Sequence, residues 1–114
     1  MSPEMLAALG EPNRFRIVEL LRTGPRPVSD IGDRLKLRQS QVSQHLKVLK
    51  DVGLVEAEAR AQQRLYALRA RPFRQLHDWL DRYRRIWDER LEQLDQLVAE
   101  LKQKEKADAA ARNK

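Results

Sequence analysis

The chain has 114 residues, a length that fits one domain with a modest core. Apolar residues make up 41% and charged residues 35%, a globular and helix-leaning mix rather than a disordered one. The formal net charge of +6 predicts a polyanionic partner, nucleic acid before an acidic membrane surface, and the absence of cysteine excludes disulfides, thiolate metal sites and thiol redox sensing.

The first twelve residues, MSPEMLAALGEP, lack a basic stretch followed by an apolar one, so no secretory signal is expected. No apolar run approaches the ~18 residues of a membrane span. Leu6 to Leu9 form a short apolar patch that ends at Gly10 and Pro12. Helical spacing then resumes with Phe15, Val18 and Leu21, supported by Ile17 and Leu20. Pro12 suits the first turn of that helix, and Thr23-Gly24-Pro25 stops it. A second short helix is predicted after Pro27, with Ser29 as N-cap and Ile31 and Leu35 turned inward. Lys36-Leu37-Arg38 is a tight connection. The next helix runs from Gln39 to Val52, with Val42, Leu46 and Leu49 on one face and Gly53 just past its end.

Leu54, Val55 and Ala57, and then Leu65, Tyr66 and Leu68, predict two strands of a hairpin around the polar stretch Arg60-Ala61-Gln62-Gln63-Arg64. That turn carries no Gly, Asn or Asp, so its type stays open. Pro72 opens a long helix whose apolar stripe includes Phe73, Leu76, Leu80, Tyr83 and Trp87, continued after a small phase shift by Leu91, Leu94, Val98 and Leu101. To Lys104 it would measure roughly 50 Å, more than a domain of this size covers, so a second copy is expected to bury the stripe. The dimer interface is assigned to Leu6, Leu9, Phe73, Leu76, Leu80, Tyr83, Trp87, Leu91 and Leu94. Trp79 and Trp87 are read as packing aromatics. Residues 105–114 are expected to be a disordered basic tail, and 1–104 a single DNA-binding and dimerisation domain.

Two short helices on a tight turn followed by a hairpin describe a winged helix-turn-helix, mostly α with one β-hairpin. The second helix of such a pair enters a major groove. Beside its buried face this one carries Gln39, Ser40, Gln41, Ser43, Gln44, Lys47 and Lys50, and no acidic residue occurs from Lys36 to Lys50. Gln can bind adenine through two hydrogen bonds, and Ser can bond several base edges or phosphate. Arg60 and Arg64 suit phosphate contact or minor-groove insertion from the wing.

The stretches LAALGEPNRFRIVELL, QSQVSQHLKVLKDVGLV, RLYAL and WLDRYRRIWDERLEQL resemble the opening helix, recognition helix and first wing strand, second wing strand and terminal helix of the ArsR/SmtB family of bacterial regulators, in its branch without the known metal motifs. The resemblance implies a homodimer joined through its first and last helices on a two-fold DNA operator. It places DNA-reading residues at Gln39, Ser40, Ser43, Gln44 and Lys47, with His45 near phosphate. The family's usual Ser at the recognition-helix N-cap is Arg38 here, which removes a cap worth about 1 kcal/mol and offers another phosphate contact.

The thiolate version of the family's metal site needs a Cys pair where this chain has SDIGDRL. Only His77, flanked by Asp78 and Asp81, lies on the last helix, and it is read as an ordinary exposed or partly packed histidine; no metal and no cofactor is expected. No phosphate loop or nucleophile arrangement marks an enzyme, and Ser43 and His45 project from different helix faces. The expected function is a cytoplasmic, sequence-specific transcriptional regulator, by default a repressor. The alternative is a helical interaction module or co-regulator whose partner protein supplies the signal, and the effector, if one exists, stays open.

Overall fold

A computed structural model describes residues 1–112 of the chain. They fall in two compact units, Met1–Leu76 and His77 onward, with the last helix continuing from one into the other.

The first unit opens with α1 (Pro3–Leu9), a full helix where the sequence showed only an apolar patch; the Ser2 hydroxyl accepts a hydrogen bond from the Met5 N–H. In α2 (Pro12–Leu21) the Glu11 carboxylate caps the Arg14 N–H at 2.8 Å, and Pro12 stands in the first turn as expected. Ile17, Val18 and Leu21 are buried, but Phe15 lies outside the core and is 53% exposed. The helical spacing is real, yet the buried row follows Ile17 and Leu21, four residues apart, and Phe15 falls off its edge.

Next come α3 (Val28–Leu35) and α4 (Gln39–Asp51), joined by three residues. The N-cap of α3 is Pro27, not Ser29, which sits exposed within the first turn; extended backbone at Pro27 starts the helix with no side-chain cap. Lys36 turns the chain in the left-handed region at φ 58°, and the Leu37 N–H donates to the Gly32 carbonyl at 2.9 Å. A Cβ on Gly32 would stand 2.9 Å from the Leu37 carbonyl oxygen, so the corner closes only over a glycine. At the other end of α4 the Gly53 N–H bonds to Lys50 O and the Leu54 N–H to Leu49 O, with Gly53 at φ 89°. This double closure is the Schellman pattern that makes Gly53 the stop signal read in the sequence.

The hairpin is β1 (Val55–Arg60) against β2 (Gln63–Leu68), antiparallel. Pairing continues to Arg60 and Gln63, so the turn is only Ala61-Gln62, shorter than the expected polar loop. Ala61 takes φ 53°, a conformation glycine would adopt more cheaply. Arg26 also pairs with Tyr66 through two backbone hydrogen bonds of 3.0 and 2.9 Å. A single bridging residue has no length over which a strand pattern can appear, so this pairing carries no local signature.

Ile17, Ile31, Val42, Leu46, Leu49, Leu54 and Val55 form the fully buried centre of this unit. Leu9, Tyr66, Leu68 and Phe73 pack partly buried against it. The final helix, α5 (Ala70–Arg112), starts two residues before Pro72 and runs past the expected end at Lys104. No Gly or Pro follows Pro72, and Ala, Lys and Glu favour helix, so no local signal stops it among the described residues. Asn113 and Lys114, the end of the expected tail, lie outside the described residues.

Candidate nucleic-acid interface

The polar face of α4 is held from beneath. Val42, Leu46 and Leu49 are fully buried, and at about 100° per residue Ser40, Gln44 and Lys47 point directly away from them. Gln39, Ser43 and Lys50 line one flank of this ridge; Gln41 and Val48 line the other. Asp51 ends it, so the acidic charge that follows begins only at the last turn. All six of Gln39, Ser40, Gln41, Ser43, Gln44 and Lys47 are exposed, as is Arg38.

Two residues of the predicted set have structural duties. The Gln41 side-chain oxygen accepts from the Arg38 backbone N–H at 3.1 Å. Arg38 has no side-chain acceptor to return the bond, so Gln41 supplies half of a capping box and offsets part of the missing serine cap. His45 is half-buried, with Nδ1 3.7 Å from Oε2 of Glu11. Its imidazole leans toward the start of α2, away from the Ser40–Gln44–Lys47 ridge. Its link to Glu11 depends on tertiary packing across 34 positions and has no sequence signature.

The wing separates its two arginines. Because Arg60 pairs with Gln63, Arg64 falls one step later and the two side chains leave opposite faces of the hairpin. Arg60 shares its face with Glu56 and Glu58 and lies 4.0 Å from the Glu58 carboxylate. Arg64 shares its face with Ala57, Ala59 and Tyr66, where no carboxylate opposes it. The two arginines, equivalent in the sequence, are therefore electrostatically distinct.

A charged cluster anchors α3. Arg26 donates to Asp30 at 2.6 Å and to the Thr23 hydroxyl at 2.9 Å, and Arg34 donates to Asp30 at 3.1 Å. The hydrogen bond from Arg26 chiefly holds the Asp30 carboxyl below the ordinary aspartate value; desolvation opposes it, and the hydrogen bond from Arg34 adds a further lowering. A lowered folded-state pKa contributes stability above the unfolded value and loses it as pH falls through the folded one. Asp30→Asn should thus be less stable than wild type at neutral pH, and the gap should close in acid below the ordinary aspartate range. Thermal melts across that range check it; a gap independent of pH would contradict the assignment.

His77 lies exposed beside Asp78, with Nδ1 3.5 Å from the carboxylate. Among the described residues no three His, Cys, Asp or Glu side chains come together as a metal site, and no helix is long and apolar enough to cross a membrane.

Residues 11–57 match the family described as bacterial regulatory protein, arsR family. The HTH-type transcriptional regulator NmtR of Mycobacterium tuberculosis is 40% identical over 63 residues, 55% of this chain and 52% of NmtR. The chain thus spans about half the length of that relative. Another HTH-type transcriptional regulator of the same organism is 36% identical over 91 residues, 80% of this chain and 82% of its own length. The chain belongs to the ArsR family. A solved homodimeric winged helix-turn-helix DNA-binding domain from Mycobacterium bovis superposes with a TM-score of 0.58 at 29% identity, covering 68% of this ArsR-family chain and 76% of the other. The winged helix-turn-helix read from the sequence is therefore the fold. These relatives are regulators rather than enzymes.

Proposed function

We propose that this ArsR-family chain is a sequence-specific DNA-binding transcriptional repressor that acts in the cytoplasm as a homodimer on a two-fold operator. The observation that carries the reading is the α4 ridge: Ser40, Gln44 and Lys47 stand outward on a helix fixed by three fully buried residues, with no acidic side chain from Lys36 to Lys50. Two such helices would enter successive major grooves about 34 Å apart. Gln39, Ser40, Ser43 and Gln44 would read base edges; Arg38, Lys47 and Arg64 would hold phosphates; Arg60 would contribute less, since Glu58 competes for it. Gln41 and His45 would position the helix. Leu6 and the exposed face of α5 would join the two copies, while Leu9 and Phe73, packed on their own core, have less surface left for a partner. Occupying a promoter excludes polymerase, which makes repression the mode of action.

The test is a mobility shift on the DNA upstream of the protein's own gene. Ser40→Ala/Gln44→Ala should weaken the specific complex by at least about 5- to 150-fold, the range for losing a single good base contact, and leave binding to random DNA unchanged. If wild type and variant shift operator and random DNA alike, the site is wrong.

A further inference from the structure

Three elements meet at Arg26. Its backbone exchanges hydrogen bonds of 3.0 and 2.9 Å with Tyr66 of β2. Its guanidinium donates to Asp30 in the first turn of α3 and to the Thr23 hydroxyl just past α2. The sequence confines this junction to one residue. Pro27 holds the preceding Arg26 in extended backbone, the conformation that pairing with a strand needs. α3 begins at Val28 and Gly24 turns the chain at φ 140°, so the pairing cannot lengthen in either direction.

Past this bridge the wing stands free. Every residue from Glu58 to Arg64 is exposed, and the bonds to Arg26 are the outermost that tie the hairpin backbone to the rest of the unit among the described residues. Arg64 lies two residues beyond Tyr66 on the same strand face, about 7 Å along it. The Arg26 side chain is only 19% exposed, and its Nε is buried without a hydrogen-bond partner among the described residues. Placing a guanidinium there with an N–H unpaired costs free energy that an apolar side chain would not, so the ion pair is better explained by the position it fixes than by stability.

We propose that Arg26, clamped by Asp30, is the positioning residue of the wing: the clamp fixes the bridging peptide, the bridge fixes β2, and Arg64 is thereby held where it meets a DNA phosphate. The proposal rests on the DNA-binding reading and adds the residue pair that makes the wing contact. Salt titrations of the labelled duplex from upstream of the protein's own gene test it, with each full-length chain kept below its melting temperature. In wild type, Arg64→Ala should lower the slope of log affinity against log salt by about 2, since one phosphate contact is lost from each protomer at ~0.9 apiece. Arg26→Met keeps the reach of the side chain and removes the clamp. It should lower the slope by about 2 alone, and adding Arg64→Ala should then change nothing further. Asp30→Ala, which unties the clamp from the other end, should silence Arg64→Ala in the same way. Arg26→Lys, which keeps a cation for Asp30, should restore its effect. Lys47→Ala should still lower the slope by about 2 in every background, because the recognition helix docks regardless. If Arg64→Ala keeps its full effect in the Arg26→Met and Asp30→Ala chains, the clamp does not position the wing, and DNA contact by Arg64 stands. If Lys47→Ala also falls silent in those chains, the loss is a general one and the proposal fails. An Arg64→Ala slope equal to wild type removes the wing contact and the proposal with it; if Lys47→Ala is silent in wild type as well, the DNA-binding reading itself is overturned.

Discussion

Gly32→Ala is expected to lower stability by about 1–3 kcal/mol, the usual cost of forcing an extra carbon into a packed site. The added Cβ would lie 2.9 Å from the Leu37 carbonyl oxygen, a backbone atom that no rotamer change can move aside, with Val42 and Gln39 behind it. Relief requires opening the corner between α3 and α4, which strains the 2.9 Å hydrogen bond from Leu37 to Gly32 itself. For a domain of this size the loss corresponds to roughly 4–8 °C of melting temperature per kcal/mol. The corner also sets the start of α4, so operator affinity should fall by more than the unfolded fraction explains. Calorimetry with a mobility shift well below the melting temperature separates the two effects. A variant that melts with wild type would show that the corner has room the contact distances deny.

Operator binding should weaken about 10³- to 10⁵-fold between 50 and 200 mM salt if ~6–10 phosphates are neutralised. That number of contacts is available from Lys36, Arg38, Lys47, Lys50 and Arg64, all exposed, on each protomer of the proposed dimer. Phosphate contacts displace condensed counterions, so each lost contact lowers the slope of log affinity against log salt by ~0.9. Lys47→Ala, which removes one cation from each protomer, should reduce that slope by about 2. Arg60→Ala should change it less than Arg64→Ala, because Glu58 already lies beside Arg60. Titration of labelled operator at several salt concentrations measures all three, and a slope unaffected by Lys47→Ala would remove that residue from the phosphate contacts.

Much of this surface was legible in advance. Val42, Leu46 and Leu49 announce the buried face of α4 by spacing alone, and the polar residues between them are exposed as that spacing requires. Gly53 marks the helix end because few other residues adopt its backbone angle cheaply. His45 sits in the same polar run, but its surroundings depend on Glu11, far away in the chain, which no local pattern announces. The wing arginines looked equivalent because their faces depend on strand register, and one step of register exchanges them.

Local signals, then, determined the element order from α2 onward, the helix-turn-helix with its wing, the buried row of α4 and the lack of thiol chemistry. They act over a few residues, through backbone preference and the period of apolar side chains. Tertiary structure alone decided that Gly32 closes the corner against Leu37, that Arg26 bridges to Tyr66, that Phe15 stays outside the core and that Arg64 rather than Arg60 escapes a carboxylate. Each of these depends on which distant segment arrives beside the residue, and a one-dimensional pattern carries no distance between segments far apart in the chain.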